Sequence, residues 1–168
     1  MNLNLISLIT FILIIGIGCS SLPPKNITNV CEIFKEKKSW YKAAKKTEER
    51  WKVPIPVTMA FIKQESSFIA GAKPPRTKLL GFIPWKRPTS AKGYAQVIDG
   101  TWEMYLEDRG GWFRDRRDFE DAVDFIGWYN YKSHKSMGIS LKDARSLYLV
   151  YHEGKSGFRK GNHRKNPW

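Results

Sequence analysis

The amino-acid sequence predicts one mainly α-helical domain, and three observations carry that reading. Helix-capping residues recur ahead of apolar stretches with three- and four-residue spacing. No alternating run is long enough to require a sheet. The 168 residues suit a single hydrophobic core, and 42% hydrophobic residues with seven Trp exclude a disordered chain.

The first stretch is read as a leader, outside the fold. Residues 5–18 are almost wholly apolar, and no charged side chain precedes Lys25. A membrane-spanning helix needs about 20 such residues, so this shorter run suits the core of a secretory signal. It ends at Gly16-Ile17-Gly18-Cys19-Ser20. Small residues before a cysteine resemble a bacterial lipoprotein signal, although Gly16 stands where a larger apolar residue is usual and no Lys or Arg opens the segment. The resemblance implies a signal peptide over 1–18, lipid on Cys19, a tether over 19–27 and a folded domain over 28–168. Ser20 after the cysteine then implies the periplasmic face of the outer membrane. An ordinary signal with a chance cysteine, or an uncleaved anchor, is the alternative.

Asn29-Val30-Cys31-Glu32 has capping-box spacing and predicts a helix running to Trp51. Ile33, Phe34, Trp40, Tyr41 and Ala44 give it an apolar stripe, with Cys31 as a small core residue. Pro54 and Pro56 break the chain, and Pro56 suits the first turn of a second helix, from Val57 to about Ile69. Residues 71–92 hold Pro74, Pro75, Pro84 and Pro88, too many breakers for a regular element. A segment this long reads as an ordered functional loop, a lid or groove wall. Asp99 or Thr101 caps a helix through Glu107, closed by Gly110-Gly111. Asp118 caps the next, to about His134, and Ser140-Leu141-Lys142-Asp143 caps the last, which ends near Tyr151 and Gly154.

Several chemistries are excluded. Gly154-Lys155-Ser156 lacks the glycine of a phosphate loop five residues earlier, where Leu149 stands. No Gly-x-Ser-x-Gly elbow is present. His134, His152 and His163 have no metal-ligand spacing, so neither metal nor cofactor is expected. Two cysteines make no disulfide framework.

One carboxylate stands apart. Glu65 has Phe61 and Ile62 one helical turn before it, and Phe68 and Ile69 one turn after. Four large apolar neighbours desolvate a carboxyl, which raises its pKa towards the range a general acid needs. A boundary glutamate paired with Lys or Arg is the plain alternative.

Three segments in order resemble a known family. Gln64-Glu65-Ser66-Ser67-Phe68 resembles the catalytic motif of the soluble-lytic-transglycosylase-like (SLT) family, a lysozyme-like group that cleaves peptidoglycan. Gly93-Tyr94-Ala95-Gln96-Val97, followed by Thr101-Trp102, resembles its second motif. Val150-Tyr151-His152-Glu153-Gly154 resembles its third, with His152 where Asn is common. The resemblance spans roughly Trp51 to Phe158 and implies a mainly α, goose-type lysozyme/lytic transglycosylase domain. It implies Glu65 as catalytic acid, Gln96 as a substrate contact, Ser66 as a small positioning residue, and Tyr151 as the tyrosine whose hydroxyl approaches the glutamate. Tyr94, Trp85, Trp102 and Trp128 are candidate sugar platforms, with core packing as the plain alternative for each.

Ordinary glycosidases use two carboxylates. Asp99 and Glu153 are the best candidates for a second, but neither shares the setting of Glu65. The resemblance implies a chemistry needing only one, with 1,6-anhydromuramic product ends. A hydrolytic muramidase and a non-catalytic peptidoglycan-binding lipoprotein are the alternatives. The net charge of +13 calls for an anionic partner. The export signal argues against nucleic acid and for wall polymer or lipid headgroups, and a monomer is expected.

Overall fold

The computed structural model describes residues 22–165, so the leader and Cys19 lie outside the described residues. Helix α1, Val30–Glu36, starts as its capping residue requires: the Asn29 side chain accepts from the backbone N–H groups of Cys31 and Glu32, at 3.0 and 3.3 Å. The single helix expected to reach Trp51 is broken. Lys37 leaves helical conformation (φ −116°, ψ 73°), and α2 runs separately over Lys38–Trp51. The break lets Phe34 meet Tyr41 edge-on at 5.3 Å while Ile33, Trp40 and Ala44 enter the core. Cys31 is exposed, contrary to its expected core position.

Helix α3, Ile55–Ser66, carries Pro56 in its first turn but starts two residues earlier than expected and stops three residues sooner. Ser67 and Phe68 both adopt positive φ, 50° and 63°, which ends the helix after Ser66. Phe68 therefore turns into the core, and Ile69 is left exposed. Within 71–92 the chain does form regular structure, a minimal antiparallel hairpin of β1 (Lys78–Leu79) and β2 (Ile83–Pro84). Its turn uses positive φ at Leu80 and Gly81, and Pro84 is tolerated because a two-stranded ribbon has only edges.

Helix α4 covers Asp99–Arg109, and neither expected cap forms. Asp99 is already helical, and its carboxylate accepts from Arg116 at 2.5 Å. Helix α5, Phe119–Met137, is capped by Asp118 on the Asp121 N–H at 3.0 Å and ends at left-handed Gly138, three residues past the expected end. Helix α6, Ala144–Arg159, is capped by Asp143 in place of Ser140. Gly154 kinks it without ending it, and α7, Asn162–Lys165, follows. None of the described helices is long and apolar enough to cross a membrane.

Two glycines set close approaches. A Cβ on Gly127 of α5 would lie 2.5 Å from the Trp51 ring, so its absence lets α5 pack tightly on α2. Gly93, at φ +81°, would place a Cβ 2.0 Å from the Arg116 carbonyl oxygen. Only glycine lets the Gly93–Val97 turn lie against the 110–118 loop. The core is aromatic at its centre: Trp40 stacks on Phe119 at 3.9 Å, with the Tyr94 ring edge-on to both.

Asp124 joins three helices. It is buried on α5, and its carboxylate accepts from Arg50 and Trp51 of α2, both at 2.9 Å, and from Tyr105 of α4 at 2.7 Å. Burial raises its pKa, but these hydrogen bonds and the Arg50 charge outweigh burial and hold the carboxyl below the usual range. A depressed carboxylate contributes stability above its unfolded pKa and loses it as pH falls. Asp124→Asn is expected to cost about 3 kcal/mol near pH 7. In urea unfolding the gap from wild type should close as the pH is lowered below 4, roughly the unfolded value of an aspartate.

Candidate active site

The three motif segments meet around one open cleft of about 390 Å³. Glu65 from the last turn of α3, Gln96 from the Gly93–Val97 turn, and Tyr151 and Glu153 from α6 all line it. Phe125 and Tyr129 of α5 supply an aromatic side. The turn that ends α3 at Ser67 leaves the Glu65 carboxyl on the cleft.

Glu65 is half-buried. Burial pushes its carboxyl from an ordinary 4.5 up to about 7, against a smaller downward pull from the Tyr148 hydroxyl hydrogen-bonded to it. The apolar setting differs from the expected one. Phe61 and Ile62 are buried as neighbours on α3, but Phe68 and Ile69 lie beyond the helix end. Aromatic groups of α5 and α6 take their place, with Phe61 edge-on to Tyr148 at 5.3 Å and to Tyr151 at 5.4 Å. The Tyr151 ring in turn meets Tyr129 at 5.0 Å.

Tyr148 is the functional neighbour that the sequence reading missed. Its phenol is pushed up by burial and by the Glu65 carboxylate, so it stays a proton donor across the working pH range. The available signal was its place one helical turn before Tyr151, which puts both rings on one face of α6. The Tyr151 hydroxyl itself donates to the Ala95 carbonyl, tying α6 to the second motif. Both tyrosines thus converge near Glu65, and it is Tyr148 that makes the hydrogen bond.

Gln96 adopts positive φ (46°), and its amide nitrogen donates to the Ala72 and Gly93 carbonyls at 2.8 and 2.7 Å. That nitrogen braces the root of the 71–92 segment, which leaves the side-chain oxygen to meet a ligand. Ser66 is buried, and its hydroxyl donates to the Ile62 carbonyl at 3.1 Å, so it faces the helix interior. Tyr94 is fully buried between Trp40 and Phe119 and is not among the cleft residues, which corrects its expected substrate contact. Trp102 is likewise core. Trp128 is nearly buried, its indole N–H donating to Asp108 at 2.5 Å, and only reaches a neighbouring hollow beside Thr101 and Lys132. Trp85 is exposed at the end of β2, away from the cleft lining.

Of the two candidate second carboxylates, Asp99 is neutralised by Arg116 and does not line the cleft. Glu153 does line it, with its carboxylate 3.3 Å from the His163 ring. Among the described residues no cluster of His, Cys, Asp or Glu is suited to hold a metal ion.

The domain is helical and presents Glu65, half-buried and with a raised pKa, on an open cleft. Residues 6–168 match the family model described as Transglycosylase SLT domain, and the chain belongs to that family. The mainly helical architecture is that of a single lysozyme-like SLT domain, and membership ties the chain to transglycosylase-type action on peptidoglycan in the cell envelope. No curated protein and no solved structure matches the chain.

Two outcomes follow from the Glu65 environment. Below pH 4.5 the carboxyl is protonated in folded and unfolded chains alike and costs nothing, whereas by pH 8 the folded chain must ionise a group that resists it, a cost of roughly 3 kcal/mol. Glu65→Gln should therefore raise the thermal midpoint at pH 8 and change it little at pH 4. Tyr148→Phe removes the hydrogen bond that favours the ionised form. It should move the alkaline limb of the activity profile to higher pH, read as initial rate against pH.

Proposed function

We propose that the protein is a lytic transglycosylase that cleaves the β-1,4 bond between N-acetylmuramic acid and N-acetylglucosamine without consuming water. The observation that carries this reading is Glu65, a half-buried carboxyl on the cleft that holds its proton up to about pH 7. Glu65 donates that proton to the glycosidic oxygen, and the bond to the muramyl C1 breaks. The substrate's own N-acetyl group stabilises the cationic intermediate. Protonating the leaving group has left Glu65 as a carboxylate, which now takes the proton of the muramyl C6 hydroxyl. The C6 oxygen closes on C1, giving a 1,6-anhydromuramic end and returning Glu65 to its starting state. Tyr148 orients the carboxyl in both states, and Gln96 offers its side-chain oxygen to the glycan. Tyr151 fixes the turn that carries Gln96. No cofactor takes part.

A hydrolytic muramidase is the second reading, favoured by Glu153 lining the same cleft. A water-activating base there would give reducing muramic ends in place of anhydro ends. We place the chain, as a monomer, on the periplasmic face of the outer membrane through lipid on Cys19, after removal of the 1–18 signal.

Digestion of purified sacculi followed by mass spectrometry separates these readings. Anhydromuramic ends are expected, with turnover lowered at least about 100-fold in Glu65→Gln. Reducing ends would establish the hydrolase, and undiminished turnover in the variant would remove Glu65 from its role. Binding to sacculi without any cleavage by the wild type would leave a binding lipoprotein.

A further inference from the structure

Large apolar side chains outside the cleft lining stand exposed on two loops. On the 71–92 segment Leu79, Leu80, Phe82, Ile83 and Trp85 are all exposed, Leu80 at 76% and Phe82 at 72%. A second loop exposes Trp112 at 92% and Phe113 completely. Soluble chains rarely leave so many large apolar groups in water without a partner.

The charge around them is one-sided. Between Glu65 and Asp99 the chain carries six cations, Lys73, Arg76, Lys78, Lys86, Arg87 and Lys92, and no acid. Among the described residues none of the six makes an ion pair. Arg76 and Arg87 instead donate to the Trp85 and Pro74 carbonyls, which holds the segment in shape and keeps its charge. The two apolar loops meet at their roots. Tyr94 N–H donates to the Arg116 carbonyl at 3.2 Å, and beside that contact lies a hollow of about 430 Å³ lined by Lys73, Lys92 and Arg117. Asp115 also lines it and is paired with Arg117 at 2.8 Å, so the hollow keeps a net positive charge.

Apolar tips on two loops whose roots line a cationic hollow combine the two features a bilayer surface calls for, acyl chains and anionic headgroups. Leu79, Leu80 and Ile83 are aliphatic, and stacking on sugar faces needs rings. A second copy of a chain at +13 would bring like charges together at this face. We propose that the hairpin and the 110–118 loop dock on an anionic phospholipid bilayer. Leu80, Phe82, Trp85 and Trp112 enter the headgroup–acyl boundary, and Lys73, Lys92 and Arg117 hold a headgroup phosphate. The contact is independent of both Glu65 chemistry and lipid on Cys19.

The test uses the full chain on phosphatidylcholine vesicles, with and without phosphatidylglycerol, carrying brominated acyl chains that quench tryptophan on contact. Because the leader can itself hold the chain on vesicles, the readout is the quenching lost in Trp85→Phe/Trp112→Phe relative to wild type. That component is expected with phosphatidylglycerol and absent without it. Raising the ionic strength should remove it in the wild type. Leu80→Asp/Phe82→Asp should abolish it, and Lys73→Glu/Lys92→Glu should weaken it, each charge being worth about fivefold in binding to an anionic surface. Equal quenching of wild type and the double tryptophan variant overturns the proposal. So does a component indifferent to phosphatidylglycerol, or a dimer in sedimentation that Leu80→Asp/Phe82→Asp dissolves.

Discussion

Asp124 accepts hydrogen bonds from Arg50, Trp51 and Tyr105, and so pins α5 to α2 and α4 at once. Everything the cleft needs from α5 follows from that joint. Phe125 is the next residue and Tyr129 lies little more than a turn further on, and both face the groove that Glu65 enters. A buried carboxylate is tolerated here because three donors satisfy it, and removing it would leave the buried Tyr105 hydroxyl and the half-buried Trp51 N–H without their acceptor. Gly127, on the same helix, lets α5 approach the Trp51 ring closely enough for the joint to close.

Two buried acids therefore sit in opposite electrostatic settings. Asp124 is over-satisfied and stays ionised, which holds helices together. Glu65 is half-buried among rings with one phenol donor, which leaves its proton on near neutrality. The difference is that Asp124 meets three donors and the Arg50 charge, whereas Glu65 meets one phenol. The Glu65 setting opposes stability at and above neutral pH, and the rest of the core has to absorb that cost.

Much of this was legible in the sequence. The helical class, the Asn29 and Asp118 caps, the Gly110 stop and the prominence of Glu65 could all be read from residue type and spacing. Phe61 and Ile62 are neighbours of Glu65, but Ser67 and Phe68 turn the chain before Ile69 can join them, and no local pattern announces left-handed conformation at Ser or Phe. The break at Lys37 was equally hidden, because neither Gly nor Pro marks it. Tyr148 and Asp124 act across helices, and a contact between distant segments leaves no trace in spacing. Aromatic residues were the least legible: Tyr94 and Trp102 entered the core, while Trp85 and Trp112 stayed outside, because a ring serves core and surface equally well.

The proposed chemistry depends on one quantity, the acidity of Glu65 in the folded chain. It can be read without substrate by following the side-chain carboxyl carbons of ¹³C-glutamate-labelled protein by NMR as pH is varied, with Glu65→Gln assigning the signal. A titration midpoint near 7 for that carboxyl is the result the structure predicts. A midpoint near 4.5, the ordinary value for glutamate, would contradict it and leave Glu65 ionised at neutral pH.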